Sequence, residues 1–169
     1  MSDRSKKIFL LLTIVGSFMV YSVIYYTGIL KNAPYKFAEF KSIVFKYGTR
    51  DSMFNTYNSA TGEYQYLNNR DSLVKTHLYL SKDELLVLHR KASDLGLWDF
   101  PSTELNDDTA VHAAVKPLRY YIEFNYQRKS KKVVFETNYN GPAKLVEANV
   151  VLIKEIKKVL AEAEDREKK

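Results

Sequence analysis

Residues 8–30, IFLLLTIVGSFMVYSVIYYTGIL, are 23 consecutive positions without a charged side chain. As a helix rising ~1.5 Å per residue they reach roughly 35 Å, enough to cross a hydrocarbon core of ~30 Å with some tilt. Arg4, Lys6 and Lys7 stand before this run, and Lys31, Lys36 and Lys41 after it. Basic residues beside a membrane helix stay cytoplasmic, and a seven-residue basic tail is easily retained. The expected organisation is a cytoplasmic tail at 1–7, a transmembrane signal anchor at 8–30 and a juxtamembrane linker at 31–40. An exported domain at 41–164 and a charged tail at 165–169 follow. The expected location is the cytoplasmic (inner) membrane, crossed once, with the C-terminal domain facing the periplasm or cell exterior.

Two alternatives stay open. The domain can face the cytoplasm instead, because the flanks nearly balance. A cleaved signal peptide is the other, although its apolar core is normally 7–15 residues and ends in an A-x-A-like site. Here Ala33 follows Lys31 and Asn32, a poor match. Tyr25, Tyr26 and Tyr35 suit the headgroup level of the outer interface, while Gly16, Ser17 and Gly28 offer a close approach to a second helix.

The remainder is long enough for one core. Beyond the first 30 residues, 23 basic side chains face 19 acidic ones, a mild excess with no stripe suited to nucleic acid. Cysteine is absent, which excludes disulfides, thiol catalysis, cysteine-ligated zinc and lipidation through cysteine.

Short β-rich stretches bounded by turn formers begin at Ser42, Met53, Glu63 and Leu73. The first soluble helix announces itself. Ser81 and Glu84 form a capping box, Leu80 and Leu85 a hydrophobic staple. Leu85, Leu88, Ala92 and Leu95 recur at helical spacing, and Gly96 supplies the stop. Leu97, Trp98 and Phe100 fold back as apolar plugs. From Leu118 to Tyr126 apolar and polar residues alternate strictly, as on a half-buried strand. Val133 to Tyr139 continues a paired strand. A last helix opens near Asn140, Gly141 and Pro142, with Leu145, Ala148, Leu152, Ile156, Val159 and Ala163 as its stripe. These patterns predict an α+β fold: an N-terminal transmembrane helix, then a mainly antiparallel sheet of about five strands packed with two helices.

Three blocks carry a resemblance: Asp51 to Tyr57, Leu78 to Pro101 with its Leu97-Trp98-Asp99-Phe100-Pro101 ending, and the late tyrosine-rich hairpin with the terminal helix. In these the chain resembles small exported or membrane-anchored α+β domains of unknown function found mainly in Bacteroidota-type envelope proteins. The resemblance implies an envelope location and supplies no activity to carry over. Members commonly carry a lipidated cysteine, which this chain lacks.

No catalytic residue and no cofactor is expected. His77, His89 and His112 lack partners at metal-ligand spacing, with His89 read as a residue at the edge of its helix face. Pro101 to Pro117 is a long loop carrying Glu104, Asp107, Asp108 and His112. Asp107, Asp108 and His112 are weak metal candidates, since loops collect aspartate simply to make turns. Ten tyrosines lie outside the apolar run. Tyrosine pairs apolar area with a polar tip, and the partner-contact set is Tyr64, Tyr66, Tyr121 and Trp98 with Lys129 and Lys131, which suit anionic headgroups or an acidic partner.

The leading expectation is a membrane-anchored binding or scaffolding protein, an accessory subunit of an envelope complex, held by the lipid bilayer through residues 8–30 and meeting a protein partner in the membrane or envelope. The alternatives are an inhibitor or immunity-type protein acting on an enzyme outside the cytoplasmic membrane, and a metal-dependent hydrolase using the acidic loop.

Overall fold

The computed structural model describes residues 3–32, 34–49, 52–68, 70–106 and 117–168. Two compact units divide the chain at Pro34. The first is a single helix, α1 (Asp3–Asn32). It is long and apolar enough to cross a membrane, with a span at Asp3–Thr27 and a mean hydropathy of 2.2. Every large apolar side chain from Ile8 to Tyr26 is between 49% and 68% exposed.

The second unit, Tyr35–Lys169, is α+β. A 3-10 turn at Phe37–Glu39 leads into β1 (Phe40–Thr49). Then come β2 (Ser52–Asn58), β3 (Glu63–Leu67) and β4 (Leu73–His77), each antiparallel to the one before. The next helix, α2 (Lys82–Asp94), starts on the expected capping box: Ser81 accepts from the Glu84 amide and Glu84 accepts from the Ser81 amide. Gly96 ends it in the left-handed region at φ 77°, a conformation that costs glycine nothing. After a 3-10 turn at Leu97–Asp99 come β5 (Thr103–Glu104), β6 (Leu118–Tyr126), β7 (Ser130–Glu136) and α3 (Ala143–Glu167).

The sheet order is β4-β3-β2-β1-β6-β7-β5. The chain thus leaves one edge at β4, travels through α2, and re-enters at the opposite edge as β5. That strand runs parallel to β7, pairing Thr103 with Val134 and Glu104 with Phe135. The sheet therefore has seven strands instead of about five, and it is mixed: its pairings are antiparallel, as expected, except for the parallel β5–β7 edge. Two residues are too few to show a period, which is why β5 leaves no trace in the pattern of the sequence.

Period-two alternation sorts the strands into two faces. Ile43 and Phe45 of β1, Tyr57 of β2, Tyr120, Ile122, Phe124 and Tyr126 of β6, and Val133 and Phe135 of β7 are buried. They pack under α2 and α3 in one apolar cluster with Leu88, Ala92, Leu152, Ile156, Val159, Leu160 and Ala163. Arg119, Tyr121, Glu123 and Asn125 alternate onto the opposite face, where Arg119 Nε donates to Glu136 Oε1 at 3.0 Å.

Several boundaries differ from those read in the sequence. The compact unit begins at Tyr35 rather than 41, because Tyr35 and Phe40 pack against the core. The fourth strand stops at His77, and the last begins at Ser130 and stops at Glu136. Pro142, not Asn140, precedes α3, and no side chain caps it. Asp107, Asp108, Thr109 and His112 lie outside the described residues.

Candidate functional site

The first residues of the second unit, read as linker, build one end of the domain instead. Tyr35 stacks on Trp98 with centroids 4.5 Å apart and meets Tyr126 edge-on at 5.1 Å. Trp98 stands at 90° to Phe124. Register puts these rings together: Phe40 at the start of β1 pairs with Tyr126 at the end of β6. The Gly96 turn swings Trp98 back from the end of α2 onto the same spot.

His89 closes the cluster from α2. It is only 8% exposed, and its Nδ1 lies 2.8 Å from the Tyr126 hydroxyl. Phe37, Phe40 and Trp98 surround its ring. Burial, with a smaller push from Arg90, lowers its pKa from 6.5, so the ring is neutral at pH 7. The face-edge placement expected for His89 is thus corrected. The rings that bury it, Phe37, Phe40, Trp98 and Tyr126, come from three separate stretches of chain, which helical spacing alone does not reveal.

Cations ring this aromatic end. Lys129 Nζ sits 3.7 Å from the centre of the Tyr35 ring, a cation–π contact. Lys131 Nζ donates to the Phe100 carbonyl, and burial pulls its pKa down from the usual lysine value. Arg128 grips Glu39 through Nε and Nη2. The Arg128 guanidinium holds the Glu39 carboxyl below the usual carboxylate range. Lys36 and Lys41 are exposed beside them, Lys41 at a β-bulge where the β1–β6 register slips between Phe40 and Ser42.

Three of the six partner-contact candidates, Trp98, Lys129 and Lys131, therefore come together at this end. The other three are elsewhere. Tyr121 lies on the open sheet face, where its hydroxyl donates to Glu123 at 2.7 Å. Burial and that carboxylate push its pKa up to about 12. It borders a shallow groove of about 320 Å3 with Val44, Lys46, Thr56 and Glu63. Tyr64 and Tyr66 point the other way, under α3. Tyr66 donates to Glu164 Oε1 at 3.0 Å, and Tyr64 packs edge-on to Tyr57.

A second polar feature lies inside the core. Glu104 and Asn149 are both fully buried, and Asn149 Nδ2 donates to Glu104 Oε2 at 2.7 Å. Glu104 Oε1 and Asn149 Oδ1 have no partner among the described residues. Burial, opposed by the Asn149 amide and Lys131, raises the Glu104 pKa to about 7. Glu104 had been read as part of an acidic loop. The structure makes it a core residue because β5 places it opposite Phe135. Among the described residues no group of three His, Cys, Asp or Glu side chains is placed to hold a metal ion. No protein-family model, no curated protein and no solved structure matches this chain.

Proposed function

We propose that the chain is a single-pass, membrane-anchored binding or scaffolding protein, an accessory subunit of an envelope complex. In this reading its N-terminus lies on the cytoplasmic side of the inner membrane and its α+β domain outside. The observation that carries this reading is α1. A helix whose large apolar side chains from Ile8 to Tyr26 are all about half exposed or more, over about five turns, is stable only where another apolar medium covers it. Lipid is the medium that fits a run of 23 uncharged residues with basic flanks. The domain behind it has an apolar cluster built from its own residues. Such a module acts by contact, presenting side chains beside the bilayer.

Cell fractionation tests the anchor. The full chain should sediment with membranes, resist alkaline carbonate and dissolve only in detergent. Val15→Arg with Phe18→Arg should move it to the soluble fraction. A wild-type chain that stays soluble without detergent overturns the reading. Cross-linking in the native membrane, followed by detergent pull-down, should return one membrane or envelope protein in stoichiometric amount; recovery of the chain alone removes the accessory-subunit role.

A further inference from the structure

We propose that the aromatic and basic end of the domain, built by Lys36, Lys41, Arg128 and Lys129 around Tyr35 and Trp98, docks on the anionic headgroups of the bilayer that holds α1. The proposal rests on the membrane-anchored reading and adds a second contact with the same membrane.

Chain length is the first argument. Three peptide steps separate Asn32, the last residue of α1, from Tyr35, the first of the domain. A fully extended chain covers ~3.3–3.6 Å per residue, so Tyr35 stays within about 11 Å of the helix end whatever angle the domain takes. The end of the domain that carries Tyr35 is therefore within reach of headgroups beside the helix end.

Charge is the second. Lys36, Lys41, Arg128, Lys129 and Lys131 gather at this end, beside the carboxylates of Glu39 and Asp99 and, for Lys131, the buried Glu104. Glu39 is already engaged by Arg128. Asp99 acts on Tyr35 and Lys131. Basic side chains within a Debye length of an anionic surface, ~8 Å at physiological salt, are each drawn to it.

Side-chain type is the third. Tyr35 and Trp98 are half-buried rings with polar tips, the residues that prefer the water–lipid boundary. The scattered cations of the open sheet face lack this combination: Lys46 and Lys75 alternate there with Glu63 and Glu123.

Trp98 is the single tryptophan of the chain, so it reports on this end without labelling. The full chain is reconstituted in phosphatidylcholine vesicles, with or without equimolar phosphatidylglycerol, each carrying bromine-labelled lipid as quencher. It should float with both vesicle types. Trp98 quenching should be about twofold greater or more in the anionic vesicles and should fall to the neutral level in high salt. Lys36→Glu with Lys41→Glu, both exposed, should abolish the difference while the chain still floats. A chain that floats with both but quenches equally overturns the proposal alone, as does a double variant that keeps the full enhancement; these cations then belong to a protein partner. A chain that floats with neither overturns the anchoring reading and the proposal with it.

Discussion

Helices α1 and α3 are of similar length, 30 and 25 residues, and both are rich in aliphatic side chains. Their environments are opposite. In α3 the aliphatic residues fall on one side and are buried: Ile156 and Ala163 are fully covered, and Leu152 nearly so. Lysines and glutamates occupy the other side, with Lys158 close to Glu155 and Glu162. In α1 aliphatic residues go all the way round, and none of the described large ones is buried by the protein. Angular distribution, not total apolar content, separates a helix covered by its own sheet from one that needs a foreign solvent.

The strongest way to break this contrast is to truncate the same residue type in both helices. Ile156→Ala should cost about 2–5 kcal/mol in denaturant unfolding of the domain, because it opens a cavity in a filled core. Ile14→Ala should leave that transition unmoved. Equal effects would mean that α1 packs on the domain.

The Glu104–Asn149 pair is the next lever, since it is the polar contact that α3 makes inside the core. The Glu104 pKa is raised from 4.5 to about 7 on folding, so between these values the folded state binds more protons than the unfolded chain. The contribution of Glu104 to stability is then greatest below about pH 4.5, falls as pH rises from about 5 to 7, and levels off above. The fall is at most about 3 kcal/mol. A protonated Glu104 also has a hydrogen to give, and Asn149 Oδ1 is an unpartnered acceptor on the neighbouring group. Glu104→Gln, neutral at every pH, should flatten the slope; an unchanged slope assigns it to other groups.

Smaller effects sharpen the same contrast at the ends of the helices. Ser81→Ala should cost about 1 kcal/mol by removing the cap on α2, read as a shift in denaturant midpoint. Arg166→Ala breaks the ion pair with Glu84 and the bond to the Tyr79 carbonyl that tie the last turn of α3 to the start of α2. Exposed pairs contribute little, so the expected shift is the smallest and should shrink further in salt.

Local signals were legible in the sequence and distant closures were not. Ser81 and Glu84 fix the start of α2, Gly96 fixes its end, and the alternation from Leu118 to Tyr126 fixes a strand. Each of these depends on neighbours within a few residues. The aromatic end depends on Tyr35, Phe40, His89, Trp98 and Tyr126, positions far apart in the chain that strand register, the packing of α2 and the Gly96 turn bring together. Trp98, Lys129 and Lys131 were singled out for their chemistry, but nothing local says that they share a site. Tyr64 and Tyr66 illustrate the converse: strand alternation leaves open which face a helix will cover, and α3 covers theirs. Glu104 was hidden for the same reason, its burial being decided by β7, some 30 residues further on.

One feature of the sheet has a mechanical outcome. The tether from α1 feeds straight into β1, which sits in the middle of the sheet and is bonded on one side to β2 and on the other to β6. In antiparallel ladders the hydrogen bonds lie across the strand direction. Tension drawn along the tether therefore loads both ladders in shear, many bonds at once, instead of peeling an edge open one bond at a time.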